Sequence, residues 1–217
     1  MPLSALNERP AGRAKQLAGR LCLDFANLVG GWTDVALPRE DRLNAYADLL
    51  AWSWRARLLD DAAAARLGRE ADQRPREAAA VLERARRLRG AIHAVAWHFE
   101  RGRPQRAVDL ETLAAEVHIA RDRQRLEPAA GRLEWRTAGN RRALDATLWP
   151  VALSAESYFT GADLTRLHSC PGEACGWHFE DVTRNRSRQW CDMADCGNAA
   201  KVRRFRSRQR SGGRRGR

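Results

Sequence analysis

The sequence predicts a mainly α protein with a small β component (α+β), in which a helical N-terminal domain with a β-hairpin precedes a small C-terminal module. Three observations predict it. Apolar residues recur at steps of three and four through most of the first 165 residues, as on one face of a helix. One segment instead has two short apolar runs around a Pro-Ala-Ala-Gly turn at 128–131. Four of the five cysteines fall within residues 170–196.

Composition is typical of a soluble globular protein with a polyanionic partner. Of its 217 residues, 44% are hydrophobic and 30% charged, which excludes a disordered or collagenous chain. Lys and Arg outnumber Asp and Glu by 39 to 27, and the formal net charge of +12 suits nucleic acid or an acidic membrane surface. No segment approaches the roughly 20 apolar residues that span a bilayer, and the N-terminus lacks the apolar core of an export signal. We therefore expect a cytoplasmic protein with no membrane partner, nucleoid-associated where the polyanion is DNA.

The first elements of the helical domain are predicted from apolar spacing. Residues 21–29 (LCLDFANLV) are apolar enough to be buried, and their period fits either a strand or a short helix. Pro38 is expected to open a helix, because proline is favoured in the first turn. Apolar residues between Leu43 and Leu58 then follow at helical steps, so one helix is predicted across that range.

The next two helices have clearer end signals. Pro75 is expected to open a long helix whose apolar stripe runs over residues 78–99, and Gly102 is expected to end it. Asp109 is expected to cap the helix that follows, because a carboxylate accepts hydrogen bonds from the unpaired amides of a first turn.

After the helix that Asp109 is expected to cap, the spacing of apolar residues no longer fits a helix. Gln124–Leu126 and Leu133–Thr137 are predicted to pair as a small hairpin across the turn at 128–131. Asn140 is expected to cap the last helix, which Pro150 either kinks or truly begins.

Gly161 is expected to end the helical domain, which is assigned to residues 1–165. The module at 166–210 and a disordered basic tail at 211–217 follow. Residues 166–217 carry +8 of the formal charge of +12, so the positive charge is concentrated beside the clustered cysteines.

The four clustered cysteines have the spacing C-x4-C-x15-C-x4-C, which predicts one structural zinc ion. Two close pairs separated by a loop supply two chelating arms for a tetrahedral metal, and four thiolates leave no open position for substrate. The predicted ligands are Cys170, Cys175, Cys191 and Cys196. A segment of this size also needs such a staple, because it is too small to bury an adequate core. Two disulfides or four unconnected buried thiols are the alternatives.

Short strands at Leu167–Cys170 and Gly176–Glu180 are predicted to flank the first pair of cysteines, with a Pro-Gly turn between them. Together with a following helix they give a treble-clef-like arrangement. His168 and His178 could replace a thiolate, but their spacing is poorer, and His178 is more simply a strand residue.

Ala199–Arg210 (AAKVRRFRSRQR) is predicted to form a basic helix, with Val202 and Phe205 packed against the metal knuckle. Such a helix could lie in a major groove or along the phosphate backbone, or its cations could simply be a solvated surface. The candidate nucleic-acid-binding residues are Arg184, Asn185, Arg186, Arg188, Lys201, Arg203, Arg204, Arg206 and Arg208.

Residues 167–206 (LHSCPGEACGWHFEDVTRNRSRQWCDMADCGNAAKVRRFR) resemble the CGNR zinc-finger family, and residues 21–27 resemble the start of the ABATE domain that accompanies it. The resemblance implies a bacterial transcription regulator with the finger as its DNA-binding element. Our own expectation is that the N-terminal domain senses a small-molecule effector or dimerises. Ala199 stands where the family has the arginine of its signature, which removes one cation from the implied DNA contacts. An RNA-binding or protein-interaction finger on a helical scaffold is the alternative.

Two other candidates lie in the helical domain. Asp24 and Asn27 could line a ligand pocket, or could cap a turn after the short apolar segment. Cys22, between two leucines, is predicted to be a core thiol rather than a nucleophile. No phosphate-binding loop, nucleophile elbow, metalloprotease motif or dinucleotide fingerprint is present, so no enzyme activity is expected.

Overall fold

The computed structural model describes residues 3–31, 40–137, 142–173 and 175–212. The predicted helix start at Pro38, the predicted cap at Asn140 and tail residues 213–217 lie outside them. The helices are α1 (Leu3–Glu8), α2 (Leu21–Ala26), α3 (Tyr46–Arg55), α4 (Asp61–Gln73), α5 (Pro75–Glu100), α6 (Ala107–Asp122), α7 (Trp149–Gly161) and α8 (Asn198–Gly212). Three antiparallel strand pairs join them: β1 (Val29–Gly30) with β2 (Glu40–Asp41), β3 (Gln124–Ala129) with β4 (Arg132–Thr137), and β5 (Leu167–Ser169) with β6 (His178–Glu180).

The ambiguous apolar segment near the N-terminus forms the short helix α2. Cys22, Leu23 and Phe25 are all fully buried, so the helix is apolar almost all round and shows no clear amphipathic period. Phe25 packs on Trp52 of α3 with ring centroids 5.0 Å apart. This contact places α2 in the centre of the main core.

The single helix predicted between Leu43 and Leu58 is wrong at both ends, since α3 begins only at Tyr46. α3 stops at Arg55, and Arg57 turns the chain with a left-handed φ of 58°. Asp60 then caps α4 by accepting a hydrogen bond from the amide of Ala63. α4 was not predicted, because its buried stripe consists only of Ala64, Leu67 and Gly68.

α5 begins at Pro75 and ends at Glu100, before Gly102 at a φ of 58°, as predicted. The predicted cap at Asp109 is wrong, because α6 begins two residues earlier. Asp109 lies in the first turn and pairs with Arg106 at 3.2 Å. The carboxylate therefore offsets the guanidinium beside it rather than capping the helix.

The hairpin of β3 and β4 is confirmed and longer than predicted. Ala130 and Gly131 make its turn with φ values of 44° and 82°. α7 begins at Trp149 and ends at Gly161, so Pro150 lies in its first turn and marks the start of the helix.

The C-terminal module packs on the helical domain through its hairpin. β5 lies against α5, and β6 contacts both α2 and α5. Leu167 belongs to the main core, whereas Phe179 lies with Cys170 and Cys191 in a separate small core. Among the described residues, none of the helices combines the length and apolarity that a membrane span requires.

Candidate metal centre and basic helix

The four predicted cysteines come together at one point, with all four sulfur atoms within 4.8 Å of one another. The Sγ atom of Cys191 lies 3.6 Å from that of Cys175 and 3.7 Å from that of Cys196. A tetrahedral Zn²⁺ with bonds of about 2.3 Å separates its sulfur ligands by about 3.8 Å. The donor set and its spacing therefore fit one tetrahedral metal, and all four thiols are free of disulfides.

Gly172 makes the first arm possible. A Cβ atom at this position would lie 2.9 Å from the sulfur of Cys196 and 3.2 Å from the Cβ of Cys175. The backbone of this knuckle thus approaches the metal ligands more closely than any side chain allows, as in metal knuckles generally. The Pro-Gly turn was predicted on a different ground, that the backbone of a knuckle must turn its amides towards sulfur.

The thiols titrate as a group. Hydrogen bonds from Cys175 and Cys191 lower the pKa of Cys170, whereas its hydrogen bond with Cys170 is the main cause that raises the pKa of Cys191. Without a cation, the cluster therefore stabilises one thiolate at the expense of its neighbours. A bound divalent metal removes this conflict, because coordination deprotonates thiols and offsets their mutual repulsion.

The second arm is a single π-helical turn, Met193–Gly197, which leads directly into α8. Asp192 caps it by accepting a hydrogen bond from the amide of Ala194. Lys15 bridges the carboxylates of Asp192 and Asp195 at 2.5 and 2.6 Å, and this contact lowers the pKa of Asp192. The N-terminal segment of the chain therefore touches the finger beside its ligands.

Asn27, a candidate pocket residue, instead joins α2 to the finger. Its side-chain amide donates to the carbonyl of His178 at 2.8 Å and accepts from the amide of His178 at 3.0 Å. Asp24 accepts from the amide of Ala18, and burial raises its pKa to about 6. Both side chains thus have protein partners, Asp24 ahead of α2 and Asn27 in the finger, and neither makes the predicted cap of the turn after Phe25. Cys22 is fully buried, and burial raises the pKa of its thiol to about 12.

A buried polar chain connects α5 to the hairpin of the finger. Glu100 accepts from both the amide and the hydroxyl of Ser169. The hydroxyl oxygen lies 3.1 Å from Nδ1 of His178, whose Nε2 lies 3.0 Å from Nδ1 of His93. Burial lowers the pKa of His178 to about 4 and that of His93 well below its usual value. Both rings are therefore neutral near pH 7, and each donates one N–H along the chain towards Glu100.

Arg188, a candidate nucleic-acid contact, is directed into the protein. Its guanidinium donates to the backbone carbonyls of Leu17, Glu180, Trp190 and Cys191. It also lies over the ring of Phe179, 4.4 Å from its centroid. These contacts engage all three nitrogens, so in this structure Arg188 holds the docked finger together.

The other candidates of the preceding loop stay at the surface. Arg184 and Asn185 are exposed. Arg186 has a left-handed φ of 49° and pairs with Asp163 at 3.1 Å, which ties the loop to the end of the helical domain.

The cations of α8 project into solvent. Lys201, Arg203, Arg204, Arg206 and Arg208 are all exposed, and Arg203 lies 3.5 Å from Glu173.

The predicted packing of Val202 and Phe205 on the knuckle is wrong, because these side chains are 40% and 61% exposed. α8 leaves the metal centre as a projecting helix, so beyond Ala200 it has no buried residue among those described.

A strand hairpin, a metal knuckle and a helix that share four cysteine ligands define a four-cysteine finger, here docked on a helical domain. Residues 166–209 match the family model for the CGNR zinc finger. Residues 19–162 match the ABATE model, described as "Putative stress-induced transcription regulator". Because this match covers more than half of the chain, the chain belongs to the ABATE family and carries a CGNR zinc finger. A comparison with curated proteins returned no match.

Proposed function

We propose that this protein is a transcription regulator that binds DNA through α8 and the exposed part of the loop before it. One structural Zn²⁺ on Cys170, Cys175, Cys191 and Cys196 would hold the knuckle and the start of α8 in place. The observation that carries the proposal is the projection of an unburied, strongly basic helix directly from a four-thiol site. The two family matches support it, since one family is described as a regulator and the other as a zinc finger.

The zinc supplies stability and position, not chemistry. Four thiolates fill a tetrahedral coordination shell, so no ligand position remains for water or substrate. Gly172 and the π-helical turn bring the two arms together, and the second arm fixes the direction in which α8 leaves. No catalytic activity is proposed.

The proposed DNA face consists of exposed cations on two sides of one projecting helix, with one more from the loop. Its members are Arg184, Lys201, Arg203, Arg204, Arg206 and Arg208, with Asn185 and Arg186 at its edge. A projecting helix can enter a major groove without a clash from the domain that carries it. Arginine can bind guanine in a bidentate manner and asparagine can bind adenine, so base recognition is available to this face.

The test is DNA binding by the full zinc-loaded chain, measured by fluorescence anisotropy on duplexes selected from genomic fragments. If six cations contact phosphates, log K falls with log salt with a slope of about −5. The double variant Arg204→Glu/Arg208→Glu should lose most of this binding. The matched control, Arg76→Glu/Arg87→Glu, makes the same charge change at exposed positions of α5 and should retain it. Equal affinity for every duplex, or equal loss in the control, would overturn the proposal.

A protein partner for the finger is the second candidate, favoured by one observation. Val202 and Phe205 are exposed apolar side chains among the cations of α8, and such residues are typical of interaction surfaces. The variant Val202→Ser/Phe205→Ser separates the candidates, because it removes apolar contact without changing charge. It should leave DNA affinity within about twofold if DNA is the partner. We also propose that the protein forms a homodimer or that its helical domain binds an effector. The boundary between the helical domain and the finger is proposed to lie between residues 165 and 166.

A further inference from the structure

A cleft separates the end of α5 and the α5–α6 loop from the first metal knuckle. It has a volume of about 600 Å³. Its helical side includes Ala94 and Trp97, and Pro171 and Gly172 of the knuckle form the facing side. Neither Asp24 nor Asn27 lines it, so it is distinct from the pocket that the sequence suggested.

Three arginines give this cleft its charge: Arg101, Arg103 and Arg106. Arg101 pairs with Glu100 at 2.9 Å, and Arg106 pairs with Asp109 at 3.2 Å. Arg103 has no carboxylate partner in the part of the chain that the structure describes. No Asp or Glu is among the described residues that line the cleft. Cys170 and Cys175 also line it, so the negative charge of a zinc–thiolate centre lies on the knuckle side and the positive charge lies at the end of α5 and in the α5–α6 loop.

Trp97 orders two of these guanidinium groups. Arg101 and Arg103 lie over its ring, 4.3 and 4.7 Å from the centroid. Stacking on an aromatic ring holds a guanidinium in place while leaving its N–H edge free to meet an anion. Groups that are already oriented lose less entropy when a ligand binds.

We propose that this cleft binds a small organic anion, with a carboxylate or phosphate group on Arg103 and an apolar body against Ala94, Trp97 and Pro171. Guanidinium recognises both acid groups by paired N–H donors, and the mixed apolar and cationic lining favours an organic anion over a purely inorganic one. A ligand there touches α5 and the knuckle together. It therefore stabilises the docked finger.

Because the bound anion stabilises the docked finger, the cleft would be an effector site of the proposed regulator. This regulatory role rests on the proposed function, whereas anion binding by the cleft does not depend on it. A ligand that binds only the docked arrangement shifts the equilibrium towards it by the free energy of its own binding. Zinc release requires the knuckle to open, so occupancy should slow it whether or not α8 binds DNA.

Calorimetry on the full zinc-loaded chain tests the site with benzoate, phenyl phosphate and inorganic phosphate as probes and benzyl alcohol as the neutral control. Benzoate or phenyl phosphate should bind one per chain, and the preferred probe identifies the acid group. Inorganic phosphate should bind more weakly. Arg103→Gln should weaken binding at least tenfold, while Arg87→Gln, a matched change at an exposed position on α5 outside the cleft, should not change it. Absence of binding by both aromatic acids at 5 mM, or equal binding by Arg103→Gln, would overturn the proposal.

The rate of zinc transfer to a chromogenic chelator supplies a second measurement. The bound probe should slow transfer severalfold in the natural chain and leave it unchanged in Arg103→Gln. Equal rates with and without a bound probe would overturn the coupling. Because neither measurement uses DNA, failure here is distinguishable from failure of the proposed DNA binding.

Discussion

Asn27 and His178 exchange two hydrogen bonds, the side-chain amide of one pairing with the backbone N–H and C=O of the other. Among the described strands, β6 pairs with β5 along one edge. On its other edge, the side-chain amide of Asn27 makes the two hydrogen bonds that a neighbouring strand would make. Both residues are buried. This pairing makes the finger continuous with the helical domain instead of a module on a flexible linker.

Asn27→Ala should therefore destabilise the protein by about 3 kcal/mol, because it leaves a buried N–H and a buried C=O without partners. Urea unfolding followed by circular dichroism measures the change. Asn185→Ala is the matched control, since Asn185 is exposed in the finger loop, and it should shift stability by less than about 0.5 kcal/mol. Equal effects of the two substitutions would contradict the role assigned to Asn27.

Gly172→Ala should weaken metal binding without unfolding the helical domain. The added methyl group would lie 2.9 Å from the sulfur of Cys196, so the knuckle must shift away from the tetrahedral position. We expect an affinity loss of at least tenfold, measured by competition with a chelator of known affinity. Gly161→Ala is the control, because a Cβ there meets nothing within 4 Å. An unchanged zinc affinity for Gly172→Ala would show that the knuckle is not held as described.

Stability should fall as pH drops below about 6.5, because His93 and His178 are neutral in the folded protein and take up protons on unfolding. The sign follows from their lowered pKa values: the contribution is complete above the unfolded pKa of about 6.5 and is lost towards the folded value, about 4 for His178. The full loss for His178 is about 3 kcal/mol.

Zinc release also depends on pH, so the test compares two proteins. His93→Gln removes one of the two histidines that take up a proton on unfolding. Below pH 6, the free energy of unfolding of this variant should therefore change with pH less steeply than that of the natural chain, by about 1.4 kcal/mol per pH unit. Urea unfolding in excess zinc at pH 7.5, 6.0 and 5.5 gives both slopes, and the zinc contribution is common to them. The control His118→Gln changes an exposed ring. Parallel slopes for His93→Gln and the natural chain would contradict the neutral buried pair.

The parts of the fold that could be predicted from sequence are those fixed by local signals. Pro75 gave the start of α5, and the four cysteines gave the metal site, because chelation depends on short spacings along the chain. α4 was missed because its buried stripe, Ala64, Leu67 and Gly68, contains a single large apolar side chain and is hard to recognise in sequence. Its start depends on the cap at Asp60, which resembles any loop aspartate in sequence.

The destinations of single side chains could not be predicted, because they depend on how distant elements pack. Arg188 looks like its neighbours Arg184 and Arg186, yet it alone lies over Phe179 and donates to the distant carbonyl of Leu17. The spacing of Val202 and Phe205 suggested a buried stripe. Nothing in the sequence indicated that α8 projects away from the rest of the protein, so that no surface lies against Val202 and Phe205.

Ala199→Arg should strengthen DNA binding, and this prediction rests on the proposed function. Ala199 is exposed in the first turn of α8, one turn before Arg203, so an arginine there extends one existing row of cations. One more phosphate contact makes the slope of log K against log salt steeper by about 0.9. We expect a severalfold gain in affinity at 100 mM salt, measured by anisotropy on the selected duplex.

The control for this gain is Ala79→Arg, which adds the same charge at an exposed position on α5. It should raise affinity little, and the salt slope should stay as it is, because no new phosphate contact forms. If both variants gain equally, the effect is one of net charge and not of contact. A loss of affinity in Ala199→Arg alone would mean that the start of α8 approaches the DNA too closely for a long side chain. The small side chain of Ala199 would then be needed for the finger to approach the DNA closely, and its presence would not mean that a contact has been lost.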